Sequence, residues 1–225
     1  MSAFTLKIIA LVTMIIDHVG AVFFPNILWL RYIGRLAMPI YAFMLVQGYN
    51  HTRNFTRYAI RIAVFAVLSE FPYDFLFRNV WLEFGKQNVL FTFLCALLVM
   101  KALDASAKSR NIFLFIIAVS LIWLPHFLKF DYGMYGTLMV LSFFLFQKYR
   151  GIDAIAFSAL TYGKYTYDGN ETQLWAIAAS IPILLYNGRR GPVSMKYFFY
   201  IAYPAHLLVL IGAAYLLENH LLLFN

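Results

Sequence analysis

The sequence predicts an all-α protein, a polytopic transmembrane helix bundle of about nine spans (8–10) with a cytoplasmic N-terminus, and three observations carry that prediction. Of 225 residues, 63% are hydrophobic and only 12% charged, with a mean hydropathy of +0.73, whereas soluble domains carry about 25% charge. Apolar runs near the length that crosses a ~30 Å hydrocarbon core recur along the whole chain. Lysines and arginines gather in alternate connections between those runs, as the positive-inside bias requires. No linker or low-complexity segment interrupts the pattern, so residues 1–225 form one integral-membrane domain.

The runs fall at 6–24, 31–50, 57–77, 88–103, 111–128, 132–149, 151–165, 171–187 and 199–217. The first contains Asp17-His18 and lacks a small-residue cleavage site, so it belongs to the mature protein and is not a signal peptide. The second follows a short turn and carries Arg35 early in the run. The third holds Glu70 and Asp74, four residues apart and so on one helix face, flanking Pro72. The fourth begins at Asn88 and includes Cys95, the single cysteine; a lone apolar cysteine makes neither a disulfide framework nor a metal site. The fifth has His126 near its outer end, and the sixth follows Asp131 and starts at Tyr132. The seventh is the weakest, since about 15 residues fall short of a full crossing and suit a re-entrant element as well. The ninth carries Tyr203-Pro204-Ala205-His206, which puts a proline in its first turns.

With the N-terminus inside, twelve of the 18 lysines and arginines fall on the inner side and six on the outer. Removing the seventh segment would move Arg189 and Arg190 outside, so the charge pattern supports nine crossings with the C-terminus out. Trp29, Trp81, Trp123 and the Tyr162/Tyr165/Tyr167 cluster lie near outer ends, as an interfacial aromatic belt should. The net charge of +8 is explained by these connections, so no nucleic-acid partner is implied; the partner is the lipid bilayer.

Depth divides the polar residues into two groups. His18 lies roughly 16 Å along the helix from Lys7, which puts Asp17 and His18 from the middle to the outer half, level with Arg35; Glu70 and Asp74 lie roughly 20 and 26 Å from Arg57. An ionisable group in hydrocarbon costs roughly 2.5–3.5 kcal/mol and marks a site or relay. The inner group comprises His51, Arg53, Arg57 and Arg61, the arginines spaced by four to form a stripe if the helix begins early enough, joined by Arg189, Arg190, Lys196, Tyr197, Tyr200 and His206. Guanidinium forks suit phosphate, so this group fits a phosphorylated cofactor, with lipid headgroups as the other reading. His206 itself falls near the midplane. Glu70 and Asp74 either take part in chemistry or hold a helix end broken at Pro72.

Adjacent helical residues point about 100° apart, so Asp17 does not orient His18 directly and is expected to pair with Arg35 on the next helix. That frees the His18 imidazole as a general base near a thioester, where it takes the proton of an amine or hydroxyl attacking the acyl carbon. A covalent acetyl-His18 and a direct transfer both remain open.

The ordered strings DHVG, GRLAMPIYAFMLVQGYNHTRN, RIAVFAVLSEFPYD, NVLFTF, DYGMYG and KYFFYIAYPAHLL resemble the TraX family, whose founding member is the F-pilin acetylation protein. The resemblance covers most of the chain. It implies a multi-pass protein of the bacterial inner membrane that uses acetyl-CoA, needs no metal, and modifies the N-terminal amine of a pilin subunit. The first two segments are more distantly similar to transmembrane acyltransferases acting on glycans. Carried onto this chain, the resemblance implies His18 as the catalytic residue with Asp17, Arg35, Glu70 and Asp74 around it, and Arg53, Arg57 and Lys196 on the CoA side. Other readings are O-acetylation of an envelope glycan, a proton- or metal-coupled transporter using His18, Glu70, Asp74 and His206, and a non-catalytic assembly protein. The transporter reading expects paired halves with matching broken helices, which the sequence lacks. The assembly reading expects large soluble loops, also lacking.

Overall fold

Among the described residues the nine apolar segments become nine rods, two of them broken. In this computed structural model the described residues are 1–149, 151–192 and 196–222, with the side chains of Lys196 and of residues 218–222 outside that description. The helices are α1 (Ala3–Phe23), α2 (Leu28–Gly34), α3 (Ala37–His51), α4 (Phe55–Arg78), α5 (Val89–Ser109), α6 (Ile112–Phe127), α7 (Gly133–Phe146), α8 (Ile152–Asp168), α9 (Glu171–Leu174), a 3-10 turn (Trp175–Ala179), α10 (Ser180–Leu184) and α11 (Lys196–Leu222). Among the described residues there is no strand, only an isolated bridge between Gln87 and Phe130. The predicted all-α bundle is what the chain forms.

Local chemistry sets the boundaries. Ser2, Asn54, Asn88 and Asn111 cap their helices by accepting from backbone amides of Thr5, Arg57, Leu90 and Phe113, as N-cap residues do. The segment expected as one span at 31–50 divides into α2 and α3 at Arg35-Leu36. Pro39 is the reason: it has no N–H to offer the carbonyl of Arg35, four residues earlier, and its ring crowds that turn. The segment at 171–187 divides in the same way, since Pro182 cannot bond the carbonyl of Ala178 and the chain tightens into the 3-10 turn. By contrast α4 runs unbroken through Pro72, so no helix end is held there. Pro204 lies two turns inside α11, whose start at Lys196 precedes the predicted one.

The centre of the bundle is built from α3 and α7. Ile40, Ala42 and Val46 on the first and Met139, Val140 and Phe143 on the second are fully or almost fully buried. α1 packs on α2, α3 and α11; α4 packs on α5 and α11; α5, α6 and α7 close the other side. Close approach of α1 and α2 depends on Gly34, where an added Cβ would fall 2.1 Å from Asp17 Oδ1.

The outer face is apolar. On α4, Ile60, Val64, Val67 and Phe71 are exposed and recur at helical spacing along one face, while Tyr58, Ile62, Ala66 and Tyr73 are buried opposite. A continuous exposed apolar face of this kind marks a surface covered by something other than water. Among the described residues three helices, α1, α5 and Tyr197–Leu217 within α11, are long and apolar enough to cross a membrane by length and composition. α4 is longer still, but carries its ionisable residues on the inward side. The chain is a membrane protein.

Candidate functional site

A cavity of about 1490 Å³ runs between the helices and is lined along α1 from Ala3 through Lys7, Met14, Asp17 and His18 to Ala21. At 1.5 Å per residue that is about 27 Å of helix. One end is bordered by His51, Arg53, Arg57, Arg61, Arg190 and Tyr200, the other by Arg31, Arg78, Lys86, Asp131 and Lys164. His18 lies on the wall between them. The volume exceeds the roughly 300–1,000 Å³ of ordinary small-molecule pockets, leaving room for a long ligand and a second reactant.

His18 does have an orienting partner, and it comes from the last helix. Its Nδ1 lies 2.7 Å from Nε2 of His206, with the two rings 14° from parallel and their centroids 4.9 Å apart. Nδ1 of His206 lies 3.0 Å from the Ala202 carbonyl oxygen, which can only accept. With both rings neutral, this order fixes the tautomers. His206 donates from Nδ1 to Ala202, its Nε2 therefore accepts, His18 donates from Nδ1, and the free lone pair sits on Nε2 of His18. Phe77 packs edge-on against the His18 ring at 5.3 Å. His206 is itself buried and stands behind the cavity wall, so grouping it with the inner cationic residues is corrected: its ring meets His18 and not the arginines.

Beside this pair lies a buried ionic knot. Arg35 Nη2 bonds both carboxylate oxygens of Asp17 at 3.0 Å, the pairing expected between the first two segments. Arg31, not foreseen, adds a second contact to the carboxylate at 3.0 Å and donates to the Asp17 backbone carbonyl at 2.7 Å. Arg35 Nη1 donates to the Tyr132 hydroxyl at 3.2 Å. Tyr132 precedes α7 in the left-handed region, at φ 62° and ψ −13°, which for a bulky residue costs about 1–3 kcal/mol. Gly136, one turn on, has no room for a Cβ, which would meet the Tyr132 Cβ and Thr92 at 2.8 Å. Nearby, Lys86 pairs with Asp131 at 2.8 Å.

The other end differs in kind. Arg53, Arg57 and Arg61 all line the cavity, but they do not form one helical stripe, because the Asn54 cap starts α4 at Phe55 and leaves Arg53 in the preceding turn. Arg61 stacks over Tyr58 at 5.7 Å, bonds Tyr200, and has a buried Nε without a partner. Tyr200 stacks on Phe65. His51 is bonded to the Gln47 carbonyl at 2.8 Å. The side chain of Lys196 lies outside the described residues. The backbone amides of Ala3 and Phe4 bond the carbonyls of Arg189 and Arg190, which ties the start of α1 to this rim.

Glu70 and Asp74 are buried, yet neither lines the cavity. Asp74 accepts from the Glu83 amide at 2.7 Å. Glu70 accepts from the Asn88 amide at 3.2 Å and from its side chain. Together they hold the 79–88 connection, which carries Lys86 to the cavity. Among the described residues no three His, Cys, Asp or Glu side chains gather at one point.

Sequence reasoning missed two participants, His206 as partner of His18 and Arg31, and gave Tyr132 only a place at the start of the sixth run. For the first a signal existed, because His206 lies about 15 Å along α11 from Lys196 and His18 about 16 Å along α1 from Lys7, which is one depth. Arg31 stands one turn before Arg35. For the conformation of Tyr132 the sequence offered only the glycine that follows it.

The family described as TraX protein matches residues 2–214. A probable fimbrial assembly protein FimC, serogroup H1, of Dichelobacter nodosus is 29% identical over 96% of this chain and 97% of its own length. An uncharacterized protein of Rickettsia prowazekii is 26% identical over 69% of this chain and 60% of its own length. No solved structure matches.

Proposed function

Because this chain belongs to the TraX family over nearly its whole length, we propose that it is a membrane-embedded acetyltransferase that moves an acetyl group from acetyl-CoA to an amine, with a pilin-like N-terminus as acceptor. The observation that carries the reading is the contact chain from the Ala202 carbonyl through His206 to Nδ1 of His18, which leaves His18 Nε2 free as a base, with His18 on the wall of a cavity that has arginines at one end. The family and the fimbrial assembly relative support a pilin-like acceptor. The protein sits in the bacterial inner membrane with its N-terminus and arginine-lined end toward the cytosol, on the positive-inside pattern of its connections.

The residues fit a CoA thioester as co-substrate. Arg53, Arg57 and Arg61 offer guanidinium forks to phosphates, and the unpartnered buried Nε of Arg61 is a donor in want of an acceptor. The thioester supplies an activated acyl carbon. Nε2 of His18 takes the proton of the neutral amine as its nitrogen attacks that carbon, and the imidazolium returns the proton to the departing thiolate. Amide and free thiol are the products, and the base is regenerated. His206 is a positioning residue that fixes the ring; Asp17, with Arg31 and Arg35, holds α1 and α2 so that His18 faces the cavity; Glu70 and Asp74 act further back, through the 79–88 connection. A metal- or ion-coupled transporter fits less well, since a zinc site takes three or four convergent ligands and the histidine pair supplies two.

Purified protein in lipid nanodiscs, given acetyl-CoA and a peptide with a free pilin-like N-terminus, is expected to release thiol and add one acetyl group to the peptide amine, read by mass spectrometry. Thiol release with an envelope glycan but not with the peptide would redirect the acceptor assignment. Absence of thiol release with every acceptor would overturn the enzyme reading.

A further inference from the structure

We propose that the Tyr132 hydroxyl is the oxyanion donor of this site, giving its hydrogen bond to the thioester carbonyl oxygen as negative charge develops there. The inference rests on the acetyl-transfer reading and adds a catalytic group to it. Acyl transfer needs, besides a base, a donor aimed at the carbonyl oxygen of the tetrahedral intermediate.

Tyr132 meets the requirements for that donor. Tyr132 lines the same cavity as His18. Its oxygen accepts from Arg35 Nη1 at 3.2 Å, and because a guanidinium has no acceptor, that contact leaves the hydroxyl hydrogen unused. No other protein acceptor holds it among the described residues. The bond from a cation also polarises the O–H, which makes it a stronger donor. Arg35 cannot drift, since Asp17 holds it by both carboxylate oxygens, and Asp17 is the residue next to His18. Base and donor are therefore referred to one fixed point on α1. The backbone of Tyr132 is left-handed at φ 62° although it is not glycine, and strain of this kind persists where surrounding structure enforces it, commonly at working sites. Gly136 leaves the space the ring's Cβ occupies.

When the amine nitrogen bonds to the acyl carbon, the carbonyl π pair moves to oxygen and Tyr132 O–H bonds that oxyanion without transferring its proton. As the C–S bond breaks, the pair returns and the hydroxyl is released unchanged.

The test is Tyr132→Phe, which keeps the ring and its packing, measured with wild type and His18→Ala in nanodiscs for kcat, KM and direct acetyl-CoA binding. The expected result is a fall in kcat of about 10²–10³-fold with KM and binding of acetyl-CoA close to wild type. A Tyr132→Phe protein with wild-type kcat, while His18→Ala is inactive, would overturn this inference and leave the enzyme reading standing. A parallel loss of acetyl-CoA binding would make Tyr132 structural and overturn it too. An inactive wild type would sink both together.

Discussion

The stretch of cavity from His18 to the Arg31 end and the opposite end with Arg53, Arg57 and Arg61 are built on opposite principles. In the first nearly every charge is matched, Asp17 to Arg31 and Arg35 and Asp131 to Lys86, and the neutral His18 is bonded to His206. At the second end, Arg53, Arg57 and Arg61 line the cavity with no carboxylate partner among the described residues. Matched buried ions are costly to assemble and costly to break, so they fix positions to within a bond length. Cations without a carboxylate partner attract anions. The first arrangement suits making and breaking bonds; the second suits holding a polyanion that comes and goes.

That contrast can be broken at either place. The largest effect is expected from His18→Ala, which should lower kcat for acetyl transfer by about 10²–10⁴-fold, the range of general acid–base catalysis, while equilibrium binding of acetyl-CoA stays near wild type. If binding falls in step with turnover, the two regions are not separable. Next is Asp17→Ala, which strands two arginines among buried neighbours and should cost about 3–5 kcal/mol, visible as a lower unfolding temperature in detergent. An unchanged unfolding temperature would mean the knot is solvated and fixes nothing. The smallest change is expected from Arg53→Ala combined with Arg57→Ala. It should raise KM for acetyl-CoA, by about 0.2–1 kcal/mol for each exposed charge pair lost, and leave kcat largely intact. A fall in kcat at constant KM would move these arginines out of ligand binding.

The same two regions were unequally legible in the sequence. Asp17 and Arg35 were readable because charges inside apolar runs must find each other, and the runs were readable because the hydrocarbon thickness fixes their length. The division at Arg35-Leu36 went unread although Pro39 stood four residues on, since hydropathy alone continues across it. The stripe of arginines failed at Arg53 because the capping power of Asn54 outweighed the spacing. His206 was assigned by the loop that precedes its helix rather than by its own depth, which matches that of His18. Glu70 and Asp74 had the right depth but the wrong direction: they face the 79–88 connection, and rotation about a helix axis is not encoded in depth. The left-handed turn at Tyr132 is imposed by contacts with Arg35 and Gly136 that are distant or subtle in sequence.

All of this depends on His18 and His206 acting as one unit. A double-mutant cycle on kcat tests it, using His18→Ala, His206→Phe and the pair, with acetyl-CoA binding measured alongside to show that each protein is folded. The account predicts that His206→Phe alone lowers kcat by roughly 10²-fold, the lower part of the general-base range, and has no further effect once His18 is alanine. Two losses that simply multiply would show the imidazoles working independently and would contradict it.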